Sequence, residues 1–89
     1  MRSFCINNPE LEIPLDKWYV ETLNADWPNF AAVRQTFNSA DSVGNALFVF
    51  NMGGNRCRLI ARIIFRTRTV YIRFIGTHKQ YDDVNLSAL

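Results

Sequence analysis

LFVFNMGGNRCRLIARIIFRTRTVYIRFIGTHKQYDD, residues 47–83, decides the architecture, because its apolar residues recur at a period of two. Leu47-Phe48-Val49-Phe50-Asn51 reads as a short β run, and Met52-Gly53-Gly54-Asn55 as the turn of a hairpin. Residues 56–65 then alternate, with Cys57, Leu59, Ala61, Ile63 and Phe65 on one face and Arg56, Arg58, Ile60, Arg62 and Ile64 on the other. Arg66-Thr67-Arg68 makes the next turn. A third strand follows over 69–75, with Val70, Ile72 and Phe74 on one face and Thr69, Tyr71, Arg73 and Ile75 on the other. Gly76 is expected to end it, and Gly-Thr-His-Lys-Gln-Tyr-Asp-Asp (76–83) leaves from the edge.

Upstream the period becomes helical. Leu15, Trp18, Tyr19, Thr22 and Leu23 recur at helical spacing, and Pro14 suits a first turn. Asn24-Ala25-Asp26 breaks that helix. Phe30, Val33, Arg34 and Phe37 share one face of a second, for which Asn29 is the expected N-cap. Asn38 to Asn45, rich in Ser, Asp, Asn and Gly, reads as a loop. Two N-terminal helices on a three-stranded antiparallel sheet make an α+β layer. The apolar faces of the second and third strands are expected to cover the helices, with Trp18, Trp27, Phe30 and Phe37 in the core. The opposite face then collects Arg58, Arg62, Arg73 and Tyr71.

The 89 residues make one domain, 48% hydrophobic and 20% charged, as in ordinary globular chains. No window approaches the roughly 18 consecutive apolar residues of a membrane span. The N-terminus lacks the apolar core of a signal peptide, so a cytoplasmic protein is expected. Cys5 and Cys57 lie far apart and, with a single histidine, cannot complete a metal set; two buried, reduced thiols are expected, and no metal or cofactor. The net charge of +2 hides an asymmetry. Residues 1–54 carry three basic against six acidic groups, and residues 55–89 seven basic groups, six of them arginine, against two aspartates. Arginine's planar fork binds phosphate at two points, so an anionic partner fits the C-terminal half.

Arginines around an aromatic on an open sheet face suit single-stranded RNA: guanidiniums hold phosphates and Tyr71 stacks on a base. RNA is cut when a ribose 2′-OH attacks its own phosphate, a base takes the 2′ proton, an acid protonates the 5′ oxygen and cations steady the extra charge. His78, Lys79 and Tyr81 carry groups for proton transfer, and Arg58 and Arg73 for charge stabilisation. The plainer reading stands beside this one. A lone histidine in a polar tail is commonly solvated, and an arginine row is commonly the wet side of a half-exposed strand. Composition and spacing lead no further than a small α+β domain with a basic face for RNA or an acidic partner.

Residues 49–84, VFNMGGNRCRLIARIIFRTRTVYIRFIGTHKQYDDV, closely resemble the HigB-type toxins of bacterial type II toxin–antitoxin systems, in the RelE/ParE-like superfamily. The resemblance rests on the Val-Phe-Asn-x-Gly-Gly-Asn hairpin, the Arg-Leu-Ile strand, Val-Tyr-Ile-Arg-Phe and Gly-Thr-His-Lys-x-Tyr-Asp. Residues 14–45 resemble the family's helical hairpin, so that the likeness covers roughly 9–85. It implies an mRNA interferase, an endoribonuclease that cuts mRNA on the ribosome, and a helix-turn-helix (HigA-type) antitoxin that binds and inhibits it. By position, Arg58 matches the superfamily's transition-state arginine, while His78, Lys79 and Tyr81 fall where relatives carry their basic and proton-transferring end residues. The resemblance therefore implies Tyr81 or His78 in proton transfer and Arg58, Arg73 and Lys79 on the phosphate, with Arg56, Arg62 and Tyr71 along the RNA.

One departure from the family pattern concerns the start. Relatives begin with a short strand and a longer first helix, so a sheet edge is expected to lie exposed here, to be covered by a partner or by a second copy in a homodimer. Two other readings stay open: an inactive relative that only binds its antitoxin, through Ile60, Ile64 and Ile75 exposed on the basic face, and a non-nuclease toxin of the gyrase-poisoning kind.

Overall fold

The alternation after residue 46 builds a meander, and the computed structural model, which describes residues 9–52 and 57–89, contains it. Helix α1 (Glu12–Asn24) follows a 3₁₀ turn at Pro9–Leu11, and α2 (Phe30–Thr36) comes next. Strands β1 (Asp41–Gly44), β2 (Leu47–Met52), β3 (Cys57–Ile64) and β4 (Thr69–Thr77) form one antiparallel sheet in the order β1-β2-β3-β4. Helix α3 (His78–Asp82) leaves β4 directly, and a 3₁₀ turn at Leu86–Ala88 follows. The α+β layer is the one expected, with one strand more.

The extra strand is β1, inside the stretch read as a loop. Asn45 and Ala46 both hold positive φ, 54° and 61°, the requirement of the tight two-residue turn that matches strand twist. Its short strand is almost wholly exposed, so no alternation marks it in the sequence. Ala46 carries a side chain in a left-handed conformation that costs an L-residue about 1–2 kcal/mol. Ala46→Gly is therefore expected to raise stability by about 0.5–1 kcal/mol in urea denaturation, part of the gain being lost to the entropy of an added glycine.

One face of the sheet carries both helices. Phe50 and Trp18 meet edge to face at 5.5 Å, Phe50 and Phe37 at 5.4 Å, and Phe48 contacts Phe30 at 5.1 Å. Leu11, Leu15, Val33, Leu59, Ala61 and Ile63 fill the same core, together with the buried Cys57 and Trp27; Cys5 lies outside the described residues. Asn29 caps α2 as expected, accepting from the Ala32 amide at 3.0 Å. The helical stripe of α1 is wider than the core it covers. Leu15 and Trp18 are buried, whereas Tyr19 and Leu23 stay exposed and line a groove with Val70 and Ile72 beside β4.

The opposite face differs from expectation in two ways. It is not an open, solvated surface, because Leu47, Val49 and Ile60 form a second buried cluster, covered by Phe74, Tyr81, Val84, Leu86 and Leu89. The sheet is thus sandwiched between the helices and the segment after β4. Ile60 is wholly buried, Ile64 is half-buried and Ile75 packs on the helix side, so these three do not make an exposed docking patch. Simple alternation also fails in β4. Ile60 pairs with Phe74 but Ala61 with Ile72, leaving Arg73 as the extra residue of a β-bulge. The bulge swaps the following residues: Phe74 joins Ile60 on the second face and Ile75 joins Leu59 under the helices. The strand does not stop at Gly76 but runs to Thr77.

Candidate functional site

The bulge carries Phe74 and Gly76 onto the face from which Arg58 projects, and this assembles the far end of the sheet. Asn51, Arg58 and Gly76 are consecutive cross-strand neighbours in β2, β3 and β4. Next to that row the chain turns into α3, whose Tyr81 ring lies under the Arg58 guanidinium, 4.6 Å from carbon to ring centroid. At that distance the cation sits on the ring's negative face, an attraction of roughly 0.5–2 kcal/mol depending on desolvation. Gly76 leaves room for the Phe74 ring and the Gln80 side chain. A Cβ there would stand 2.5 Å from the Phe74 ring tip and 2.9 Å from the Gln80 side-chain oxygen.

Arg58 is half-buried, yet its Nε is enclosed with no hydrogen-bond partner among the described residues, and the same holds for Oδ1 of Asn51 beside it. Enclosed polar groups left this way are costly; Trp18 Nε1 and Thr22 Oγ1 in α1 share the condition, while Arg58 and Asn51 are the two paired across strands. The guanidinium therefore holds its charge at the site with its stacking partner fixed and donor capacity to spare. Asn51 was not singled out from the sequence. Its position opposite Arg58 in the hairpin register is the signal that brings it in.

The end residues are brought close to Arg58 to different degrees. Tyr81 touches it; His78 lies one helical turn before Tyr81, half-exposed, with Nδ1 3.5 Å from Asp82 Oδ2. That contact is an ion pair only when the imidazole is protonated. Lys79 is exposed on α3. Arg73 and Tyr71 form a separate pair along β4, the guanidinium 5.4 Å from the ring centroid, with Tyr71 48% exposed. Arg62 is already engaged. One of its terminal nitrogens donates to the Asn45 carbonyl at 2.7 Å, the other to the Leu89 carbonyl at 2.8 Å, tying the C-terminal segment across the sheet. Arg56 lies outside the described residues. Among the described residues no group of three or more His, Cys, Asp and Glu is arranged to hold a metal ion, and no helix is long and apolar enough to cross a membrane.

A four-stranded antiparallel sheet with a helical layer on one face and an arginine–tyrosine pair at the end of the other makes a small α+β domain, and the family comparison gives its class as a RelE-like toxin. The chain belongs to the HigB toxin family, the RelE-like toxic component of a toxin–antitoxin system, whose model matches residues 11–84. It is similar to the mRNA interferase toxin HigB of Escherichia coli (strain K12), 49% identical over 35 residues, which make up 39% of this chain and 34% of that protein. The mRNA interferases HigB of Escherichia coli O157:H7 and Shigella flexneri match with the same identity and extent. The match spans about a third of the length of these curated relatives.

Proposed function

We propose that this chain is an mRNA endoribonuclease, the toxin of a type II pair, acting on ribosome-bound mRNA and held in check by a helix-turn-helix (HigA-type) antitoxin. The observation that carries the reading is the Arg58 guanidinium stacked on Tyr81, a residue of the short helix that also carries His78 and Lys79. The relatives named mRNA interferase HigB support it.

In this reading a ribose 2′-OH loses its proton to His78 or Tyr81 and attacks the adjacent phosphorus. Arg58 and Lys79 balance the extra negative charge of the pentavalent phosphorane. The P–O5′ bond breaks, the other proton-transferring group protonates the 5′ oxygen, and a 2′,3′-cyclic phosphate remains. Arg73 and Tyr71, on the same sheet face, hold a flanking nucleotide by phosphate contact and stacking. Arg62 contributes mainly as a clamp on the C-terminal segment, since both of its terminal nitrogens are occupied.

Tyr81 separates two roles within one side chain. Tyr81→Phe keeps a ring under Arg58 but removes the hydroxyl, whereas Tyr81→Ala removes both. If the hydroxyl moves a proton, Tyr81→Phe lowers kcat by about 10²-fold or more in single-turnover RNA cleavage. An unchanged kcat in Tyr81→Phe together with a loss in Tyr81→Ala removes the hydroxyl from proton transfer, leaves that role to His78 and Lys79, and keeps Tyr81 as the support of Arg58. Induction of the wild type should arrest growth and cut mRNA at discrete sites, and the triple variant Arg58→Ala, His78→Gln, Tyr81→Phe should do neither. Equal toxicity of the triple variant would sink the assignment, and DNA damage without mRNA cleavage would point to the gyrase-poisoning route instead.

A further inference from the structure

We infer that Gln80, between Lys79 and Tyr81, is a positioning residue that holds the Tyr81 ring under Arg58. The inference rests on the reading of Arg58 and Tyr81 given above. Helix α3 has only five residues, too few for its own hydrogen bonds to hold it, and its one hold on the core is the partly buried Tyr81 ring against the second cluster. Its other tether is the junction with β4. Thr77 is at once the last residue of β4 and the N-cap of α3.

Two reciprocal hydrogen bonds close that junction. The Gln80 amide donates to Thr77 Oγ1 at 3.2 Å, and the Thr77 amide donates to Gln80 Oε1 at 2.9 Å. This is a capping box, in which the strand's last residue and the third helical residue satisfy each other's backbone donors. Gln80 also fills the space beside Gly76, its side-chain oxygen and Cβ lying 2.9 and 3.1 Å from where a Gly76 Cβ would be. Gly76 is the cross-strand partner of Arg58. A single residue therefore ties the helix that carries Tyr81 to Thr77, the strand residue next to the cross-strand partner of Arg58. Glutamine does this without a charge, leaving the positive field of Arg58 and Lys79 undiminished.

The test compares Gln80→Ala, which removes the acceptor, with Gln80→Glu, which keeps it. Two readouts are taken on folded protein: single-turnover cleavage of a model mRNA, and the upfield ring-current shift of the Arg58 Hε proton in RNA-free protein by NMR. Gln80→Ala is expected to shrink that shift and to lower kcat about tenfold, the population change expected from losing a typical cap, with KM within about twofold. Gln80→Glu is expected to keep the shift and kcat, while its added charge raises KM through repulsion of RNA. A shift unchanged in Gln80→Ala overturns the inference, as does an equal loss of kcat in both variants. If the wild type cuts no RNA but the shift is lost in Gln80→Ala and kept in Gln80→Glu, positioning stands and the nuclease reading falls.

Discussion

Replacing Arg58 with alanine is expected to lower RNA cleavage by about 10²- to 10³-fold in kcat, the usual cost of removing one preorganised stabiliser of transition-state charge. The guanidinium is suited to that task by its surroundings. It is half-buried, held over the Tyr81 ring at 4.6 Å, and its Nε has no partner among the described residues. The stack holds the guanidinium's orientation, which limits the reorganisation needed to meet a phosphorane. Arg58→Lys keeps the charge but loses the planar fork and the stack, so its rate is expected to fall between wild type and alanine. The fold is expected to survive, because Arg58 sits at the rim of the second cluster rather than inside either core. Circular dichroism and urea denaturation distinguish a lost catalyst from a lost fold. A cleavage rate in Arg58→Ala within a few-fold of wild type, on folded protein, would remove Arg58 from the chemistry.

The second large effect is on stability. Phe50→Ala is expected to cost about 3–5 kcal/mol, as for other buried phenylalanines cut to alanine. Phe50 is among the largest fully enclosed side chains, and its ring meets Trp18 of α1 edge to face at 5.5 Å and Phe37, the residue that ends α2, at 5.4 Å. It thus joins both helices to β2. Against the roughly 5–12 kcal/mol that an 89-residue domain commands in total, such a loss leaves much of the chain unfolded at physiological temperature. Phe50→Leu, which keeps most of the volume, is expected to cost about 1–2 kcal/mol. A denaturant midpoint for Phe50→Ala indistinguishable from wild type would show that the two helices are not held to the sheet through this ring.

Much of this architecture is legible in the sequence where burial is one-sided. The β3 alternation of Cys57, Leu59, Ala61 and Ile63 against Arg58 and Arg62 is present as written, and Asn29 caps α2. Legibility ends where periodicity carries no information. Strand β1 is exposed and polar, so pairing rather than patterning makes it a strand. The bulge at Arg73 inserts one residue and reverses the faces of Phe74 and Ile75, which an unbroken period of two cannot reveal. The covered second face did leave a trace. Leu47-Phe48-Val49-Phe50 is apolar at four successive positions, a pattern of strands buried on both sides. Taken with the apolar Val84, Leu86 and Leu89, it pointed to a cover for that face.

The site follows the same division. Arg58, His78 and Tyr81 stand out through the resemblance to the toxin family, and the structure brings Arg58 and Tyr81 into contact. Arg73, grouped with them by its place on the strand, instead stacks on Tyr71. Arg62 looks identical to Arg58 in the alternation, yet two backbone carbonyls occupy it. Asn51 and Gln80 are neutral amides without a chemical signature of their own. Only hairpin register and the β4–α3 junction bring them to the site.

The most direct measurement maps the 5′ ends of mRNA on translating ribosomes after adding purified wild-type protein or Arg58→Ala. If the Arg58–Tyr81 pair is the seat of an mRNA interferase, discrete new ends appear with wild type, and adding Arg58→Ala produces almost none. Uncut mRNA with the folded wild type, or the same ends at the same rate with both proteins, would contradict it.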